Sequence, residues 1–384
     1  MGSGLQAQKA SRRLDEYGTR TLVVGALGVI GRNVVEHLAE TGRSVVGLSR
    51  RRPPLAAHRG AEHVLADVTD PRTGVRLRDS LHDVTHLVFA AYQEQPSLAG
   101  QVAPNVNLLE GSLDALAAAG AALQQVTLYE GNKYYGAHLG QFKTPAREDD
   151  PRLPGPNFYY DQEDLLRLRP ERDGFAFTIF RPEAVCGVAT GNPMNLLTAI
   201  AVYATLCKHK NIPLRFPGPE QAADVLYQVT DARLLARATA WAGLAESARN
   251  QDFNITNDDT FRWRHMFPRI ADYFGIAQAP AQQLRLTDHM PSQEKDWDKI
   301  ASLHRLEPTP FHELAAWGFA DFIFHSTWDN VSSTIKIRQA GFPDCIDSEQ
   351  MFIELFDTLA VRNLIPRREM YCPCRLADRR KRRP

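Results

Sequence analysis

From Thr21 onward the chain alternates short, continuous apolar runs with amphipathic stretches. "TLVVGA" is apolar to its closing glycine. "VIGRNVVEHLAETG" behind it places apolar residues at helical spacing, with Gly42 as a stop signal. "SVVGLSR", "AEHVLADV", "DVTHLVFAAY", "LQQVTLYEG" and "FAFTIFRP" repeat the first pattern, and "NVNLLEGSLDALAAAGA" repeats the second. Strands apolar at nearly every position are buried on both faces. Alternated with helices, they predict an α/β fold: a Rossmann-type, doubly wound parallel sheet.

After Pro182 the pattern changes. "NPMNLLTAIAVYATLCKHKNIPLRFPG" predicts a long apolar helix and then a short strand. "VTDARLLARATAWAGL" reads as a helix and "QDFNITND" as a late strand. From Phe261 the chain is mostly helical and rich in aromatics. The expected organisation is an N-terminal arm over 1–19 and a Rossmann core over 20–188, to which 222–258 return. A smaller, mostly helical lobe follows from 189–221 and 259–370, and then a basic tail over 371–384. The lobe is expected over the carboxyl edge of the sheet, where strand ends form a ligand crevice. Phe261, Trp263 and Phe267, like Phe319, Phe322, Phe324 and Trp328, read mainly as lobe core, with a hydrophobic substrate wall as the alternative. His265, set among aromatics, reads as a packing residue.

Composition narrows the partners. The 384 residues carry 45 Lys plus Arg and 45 Asp plus Glu, so no net field recruits nucleic acid or an acidic membrane. The basic run Arg379 to Arg383 reads as a solvated tail. Five cysteines are scattered. Cys186 and Cys207 read as buried thiols, and Cys372 and Cys374 lack a second ligand pair, so no metal site is expected. That usage fits a reducing compartment. No secretory signal or membrane-length apolar run is visible, so a cytoplasmic protein is expected. Nothing in the sequence decides whether it forms a homodimer.

Between the first strand and first helix lies "GALGVIG": Gly25, Leu27, Gly28, Val29, Ile30 and Gly31. Residues without Cβ let backbone approach a pyrophosphate, and the helix N-terminus offers free N–H groups and a favourable dipole. The second strand ends at Ser49, Arg50, Arg51 and Arg52, where an NAD enzyme usually places a carboxylate for the ribose. Guanidinium groups suit a 2′-phosphate, so NADPH/NADP+ is the expected cofactor, with Arg50 and Arg51 as its readers. Asp67, with Val68 beside it, is the candidate for the adenine edge.

A reductase of this plan normally carries Y-x-x-x-K on one helix, the lysine lowering the tyrosine's pKa. In "NFYYDQEDLL" that spacing fails: Glu163 follows Tyr159 by four, and Asp164 follows Tyr160. A cation must come from elsewhere, and "LYEGNKYYG" offers Lys133 at the end of the fifth strand. Together "GNKYYG", "PRLPGPNFYYDQEDLL", "RPEAVCG", "MNLLTAIAVYATLCKHKNIPLRFPG" and "FNITNDDTFRWRHMF" resemble the progesterone 5β-reductase/iridoid synthase-like enzymes. These form an atypical branch of the short-chain dehydrogenase/reductases. The resemblance implies Tyr159 and Lys133 as the catalytic pair. It also implies NADPH-dependent hydride transfer to the β-carbon of a C=C conjugated to a carbonyl, in a small-molecule substrate. Pro182 and Val185 would lie under the nicotinamide, Met194 would close over it, and Ala90, Ala91 and Tyr92 would follow the fourth strand along the cofactor.

The chain also departs from that family's pattern. Tyr129 and Glu130 replace a Gln-Thr pair, and Ala91, Tyr92 and Gln93 stand where Thr-Trp-Ala is frequent. Glu130 therefore has two readings: it binds a polar substrate group, or it is turned away and paired. Tyr92, Glu130, Tyr160 and Trp263 are the expected substrate-pocket residues. The rival readings are an NADPH-dependent carbonyl reductase using the same Tyr and Lys, a nucleotide-sugar epimerase disfavoured by the missing Y-x-x-x-K, and a non-catalytic dinucleotide sensor.

Overall fold

The computed structural model describes residues 18–53, 60–191 and 194–368. Most of the expected N-terminal arm, the basic tail and the Cys372/Cys374 pair lie outside the described residues.

Among the described residues nine strands follow in chain order: β1 (Thr21–Val24), β2 (Val45–Ser49), β3 (Glu62–Leu65), β4 (His86–Phe89), β5 (Gln125–Tyr129), β6 (Ala176–Pro182), β7 (Val185–Cys186), β8 (Thr230–Asp231) and β9 (Gln251–Ile255). Seven form one sheet in the order β3-β2-β1-β4-β5-β6-β9, every pair parallel. The two-residue strands β7 and β8 pair separately. Strand order reverses between β1 and β4, which opens a crevice at their carboxyl ends.

Alternation along β1 shows why both faces are apolar. Val23 packs with Val34, Val35 and Leu38 of the first helix, Val29–Glu40, and with Leu234 and Leu235 of the helix Ala232–Ala242. Leu22 and Val24 face the other way, toward Leu109, Leu113 and Leu116 of the helix Leu98–Ala119 and Leu166 of the helix Phe158–Asp173. A period of two on a sheet covered twice yields the continuous apolar runs of the sequence.

The third apolar cluster is the helical C-terminal region. Nearly every residue of the helix Leu196–His209 is buried in it, beside Trp263–Phe274, Trp317–Phe324 and Ser348–Val361. Cys186 and Cys207 are buried. No described helix is long and apolar enough to cross a membrane.

Two local expectations change. The helix expected from Asn105 begins at Leu98 and runs through Pro104. Ser97 caps it by accepting the Gly100 N–H at 3.1 Å, and buried Asn105 ties it to both backbone groups of Gln93. Those contacts outweigh the hydrogen bond that a proline removes. The short strand expected near Leu214 is a single parallel bridge to Gln278.

Candidate active site

One cavity of about 740 Å³ lies at the carboxyl edge of the sheet. At one end are Gly25, Leu27, Gly28, Val29 and Ile30. Ser49, Arg50, Arg51, Asp67 and Val68 flank them. Ala90, Ala91 and Tyr92 lead to Glu130, Lys133, Tyr159, Pro182, Val185 and Met194.

The glycine turn is forced by close approach. Gly25 has φ +85°, and a Cβ there would sit 2.6 Å from the Ala90 carbonyl. A Cβ on Gly31 would meet the Gly25 oxygen at 2.3 Å, so Gly31 supports the turn from outside the cavity lining. Gly28 caps the first helix with no side-chain hydrogen bond. The first-turn amides therefore have no side-chain cap and stand beside the cavity, an arrangement that fits a dinucleotide pyrophosphate. Asp67 is committed to a local turn, accepting from the Thr69 N–H at 3.0 Å and from its hydroxyl at 2.7 Å. Those two bonds, with a smaller effect of Arg50, hold its pKa below the usual carboxylate value.

At the other end β5 runs into Glu130 and Gly131, and a single helical turn over Asn132–Tyr135 carries Lys133. Asn157 ties this turn to the tyrosine helix Phe158–Asp173. Its side-chain oxygen caps that helix by accepting the Tyr159 N–H at 3.2 Å, and its amide donates to the Lys133 carbonyl at 3.0 Å. One asparagine thus ties together the backbone of two residues that are 26 positions apart in sequence. The Tyr159 hydroxyl lies 3.4 Å from where a Cβ on Gly131 would be, so the Gly131 backbone runs close beside it.

Both ionisable groups are shaped by burial. Burial raises the Tyr159 phenol far above its ordinary value, and the charges of Tyr92, Glu130 and Glu183 add to this. Tyr159 is therefore a neutral O–H donor at any working pH. Burial lowers the Lys133 pKa, while Glu94 and Glu183 oppose that change. The Lys133 ammonium sits 5.9 Å from the centre of the Phe322 ring.

Glu130 borders the cavity, but its carboxylate is fully buried and accepts from the Arg181 guanidinium at 2.7 Å. Of the two sequence readings, the pairing is seen at one carboxylate oxygen, while the residue still lines the cavity. Tyr160 and Trp263 lie outside the cavity lining, a correction to both. The Tyr160 hydroxyl donates to the Tyr134 carbonyl at 2.6 Å and accepts the Leu153 N–H at 3.1 Å, which anchors the helix. Trp263 is fully buried in the lobe among Phe216, Phe261 and Phe324. The lobe instead presents Phe319 and Phe322 to the cavity. Sequence reasoning missed Asn132, Glu183 and Asn330, which also border it, and Asn157. The signal for Asn157 was present: an asparagine just before a helix is a favoured N-cap.

The fold is shared with solved short-chain dehydrogenase/reductase-like structures. A UDP-glucose 4-epimerase from Thermotoga maritima, solved with UDP-glucose, aligns with TM-score 0.63 at 17% identity, covering 89% of this chain and 99% of its own. A short-chain dehydrogenase/reductase superfamily protein from Agrobacterium tumefaciens with bound NAD aligns with TM-score 0.60 at 18% identity, over 94% and 100%. Among sequence relatives, an (S)-8-oxocitronellyl enol synthase of Nepeta racemosa is 32% identical over 90% of this chain and 91% of its own. The Catharanthus roseus enzyme of that name is 30% identical over 91% and 93%. An Arabidopsis thaliana 3-oxo-Delta(4,5)-steroid 5-beta-reductase is 29% identical over 93% and 97%. The PRISE-like Rossmann-fold domain matches residues 68–359. On that match and those relatives, the chain belongs to the PRISE-like family of Rossmann-fold proteins.

Proposed function

We propose that the protein is an NADPH-dependent reductase acting on a C=C conjugated to a carbonyl, with Tyr159 and Lys133 as its catalytic pair. The observation that carries this is their convergence. Tyr159 and Lys133 come from separate segments whose backbones Asn157 ties together, and both line the same end of a cavity that begins in a glycine turn. Membership in a family whose relatives include an enol synthase and a steroid 5β-reductase supports the same reaction class.

A bound nicotinamide supplies the hydride. This chain's own work is at the carbonyl oxygen. Negative charge builds there once the β-carbon accepts hydride, and the Tyr159 O–H stabilises it as a hydrogen-bond donor and then as proton source. Lys133 provides the positive charge that makes giving up that proton feasible. Phe319, Phe322 and Tyr92 supply apolar contact and exclude water, which strengthens both effects. The direct test is product analysis after NADPH oxidation with a small conjugated enone. A saturated ketone is expected, and an allylic alcohol as sole product would overturn the reading.

Arg50 and Arg51 read the 2′-phosphate in this account. Arg50→Ala is expected to raise KM for NADPH about 10–100-fold, the loss of a hydrogen bond to a charged group, and to leave KM for NADH nearly unchanged. Steady-state kinetics with each cofactor check this, and an unaltered preference for NADPH would remove Arg50 from the site.

A further inference from the structure

Glu183 stands at the reacting end of the cavity and has no role in the account so far. It follows Pro182 at the end of β6, is 6% exposed and borders the cavity. Its N–H donates to the Thr230 hydroxyl at 3.1 Å, and the Tyr227 hydroxyl donates to its carboxylate at 2.8 Å. Tyr227 is itself packed against Trp263 in the lobe core, ring centres 5.6 Å apart, so the donor to the carboxyl group is held in place. Asn330, held by an Asn132 amide donor at 2.8 Å, also favours the charged form of Glu183.

The contrast with Glu130 is informative. Glu130 is spent on Arg181, whereas Glu183 makes no salt bridge among the described residues. Lys133 lines the same cavity, and each group shifts the other's pKa toward its charged form. Among the described residues, the other charged or titratable groups around this end are Tyr159 from the tyrosine helix, Tyr92 after β4, Tyr227 ahead of β8, Glu130 at the end of β5, exposed Glu94, and His138, whose pKa burial and Lys133 lower. Lys133 is thus the one positive group in that set.

Resting on the catalytic pair assigned above, we propose that Glu183 is a positioning residue for Lys133 and Tyr159. Its carboxyl group, held by Tyr227, sets by its own protonation how much of the Lys133 charge reaches the reacting oxygen. Protonated, Glu183 leaves the ammonium free to stabilise charge passing to Tyr159. Ionised, it neutralises that ammonium and adds a negative charge beside a phenol that must give up its proton. Burial pushes the Glu183 carboxyl up to about 7, against the pull of Tyr227, Asn330 and Lys133, so the change falls in the working pH range.

The test has two readouts. In the first, kcat/KM on a small cyclic enone is followed with pH. The wild type is expected to fall by about tenfold per pH unit above neutrality, as one essential proton is lost. Glu183→Gln, which keeps an acceptor for Tyr227, loses that limb, and Tyr227→Phe moves it to higher pH because the carboxylate loses a donor. The second readout needs no turnover: unfolding midpoints of wild type, Glu183→Gln, Lys133→Met and the double variant, at about pH 5.5 and about pH 8.5. Non-additive effects at the higher pH and additive ones at the lower support the proposal. Additivity at both, or the same limb in Glu183→Gln as in wild type, overturns it. Coupling without any enone turnover would sink the reductase reading and leave the Glu183–Lys133 linkage standing.

Discussion

Tyr159→Phe is expected to lower kcat on every accepted substrate by about 10²–10⁴-fold, the usual worth of a general acid. The substitution removes one oxygen and keeps the ring, which packs on Phe158 with ring centres 4.4 Å apart. Fold and NADPH binding should therefore be retained, as fluorescence titration of the cofactor would check. The loss should appear in kcat more than in KM, because the hydrogen bond strengthens only as charge develops on the substrate oxygen. Turnover within a few-fold of wild type would show that some other group holds that oxygen, and Tyr92, at the same cavity wall, would be the next to replace.

Arg181→Met is expected to destabilise the protein by about 3–5 kcal/mol, the range for breaking a buried charge network. Arg181 is 0% exposed and faces three carboxylates: Glu130 at 2.7 Å, Asp252 at 3.0 Å and Glu163 at 3.5 Å. It also stacks on Tyr134 at 3.5 Å and donates to the Tyr135 hydroxyl and the Glu148 carbonyl. Glu163 keeps Arg152 and Arg167, and Asp252 keeps Arg167 and Lys336. Glu130 keeps no cation among the described residues. Burial already pushes its pKa up to about 8 from an ordinary 4.5, with Arg181 opposing, and removing Arg181 pushes it higher. A carboxyl group whose folded pKa is raised costs nothing below the unfolded value and its full penalty above the folded one. Wild type carries the same growing penalty up to about pH 8, so the deficit should be smaller near pH 8 and grow toward about pH 10, where only the variant's carboxyl group is still held protonated. Urea unfolding at the two pH values checks this, and a pH-independent loss under about 1 kcal/mol would show that the network is solvated.

The parallel sheet, the glycine turn and the helical C-terminal region are legible in the sequence because their signals are local. Continuous apolar strands, a helix following Gly28 and an apolar helix from Leu196 need no distant partner to be recognised. Pairing across distance is different. Nothing around Glu130 announces that Arg181, 51 positions later, lies across the neighbouring strand. The aromatics of the lobe illustrate the same limit. Trp263 and Phe322 sit in similar apolar stretches, yet one is sealed in the core and the other lines the cavity, because only the tertiary arrangement decides which helix face meets the sheet edge. Glu183 was hidden differently. It lies inside a segment read for its proline and valine, and its importance depends on Tyr227 and Lys133, which approach from either side.

The central claim is that hydride goes to carbon β to a carbonyl, and isotope placement tests it most directly. NADPH deuterated at C4 of the nicotinamide is incubated with the protein and a conjugated enone, and the product is analysed by NMR. The account requires deuterium on the β-carbon of a saturated ketone, with the yield of that labelled ketone cut by about 10²–10⁴-fold when Tyr159→Phe replaces wild type for the same time. Deuterium on the carbinol carbon of an allylic alcohol would contradict it and make the same cavity a carbonyl reductase.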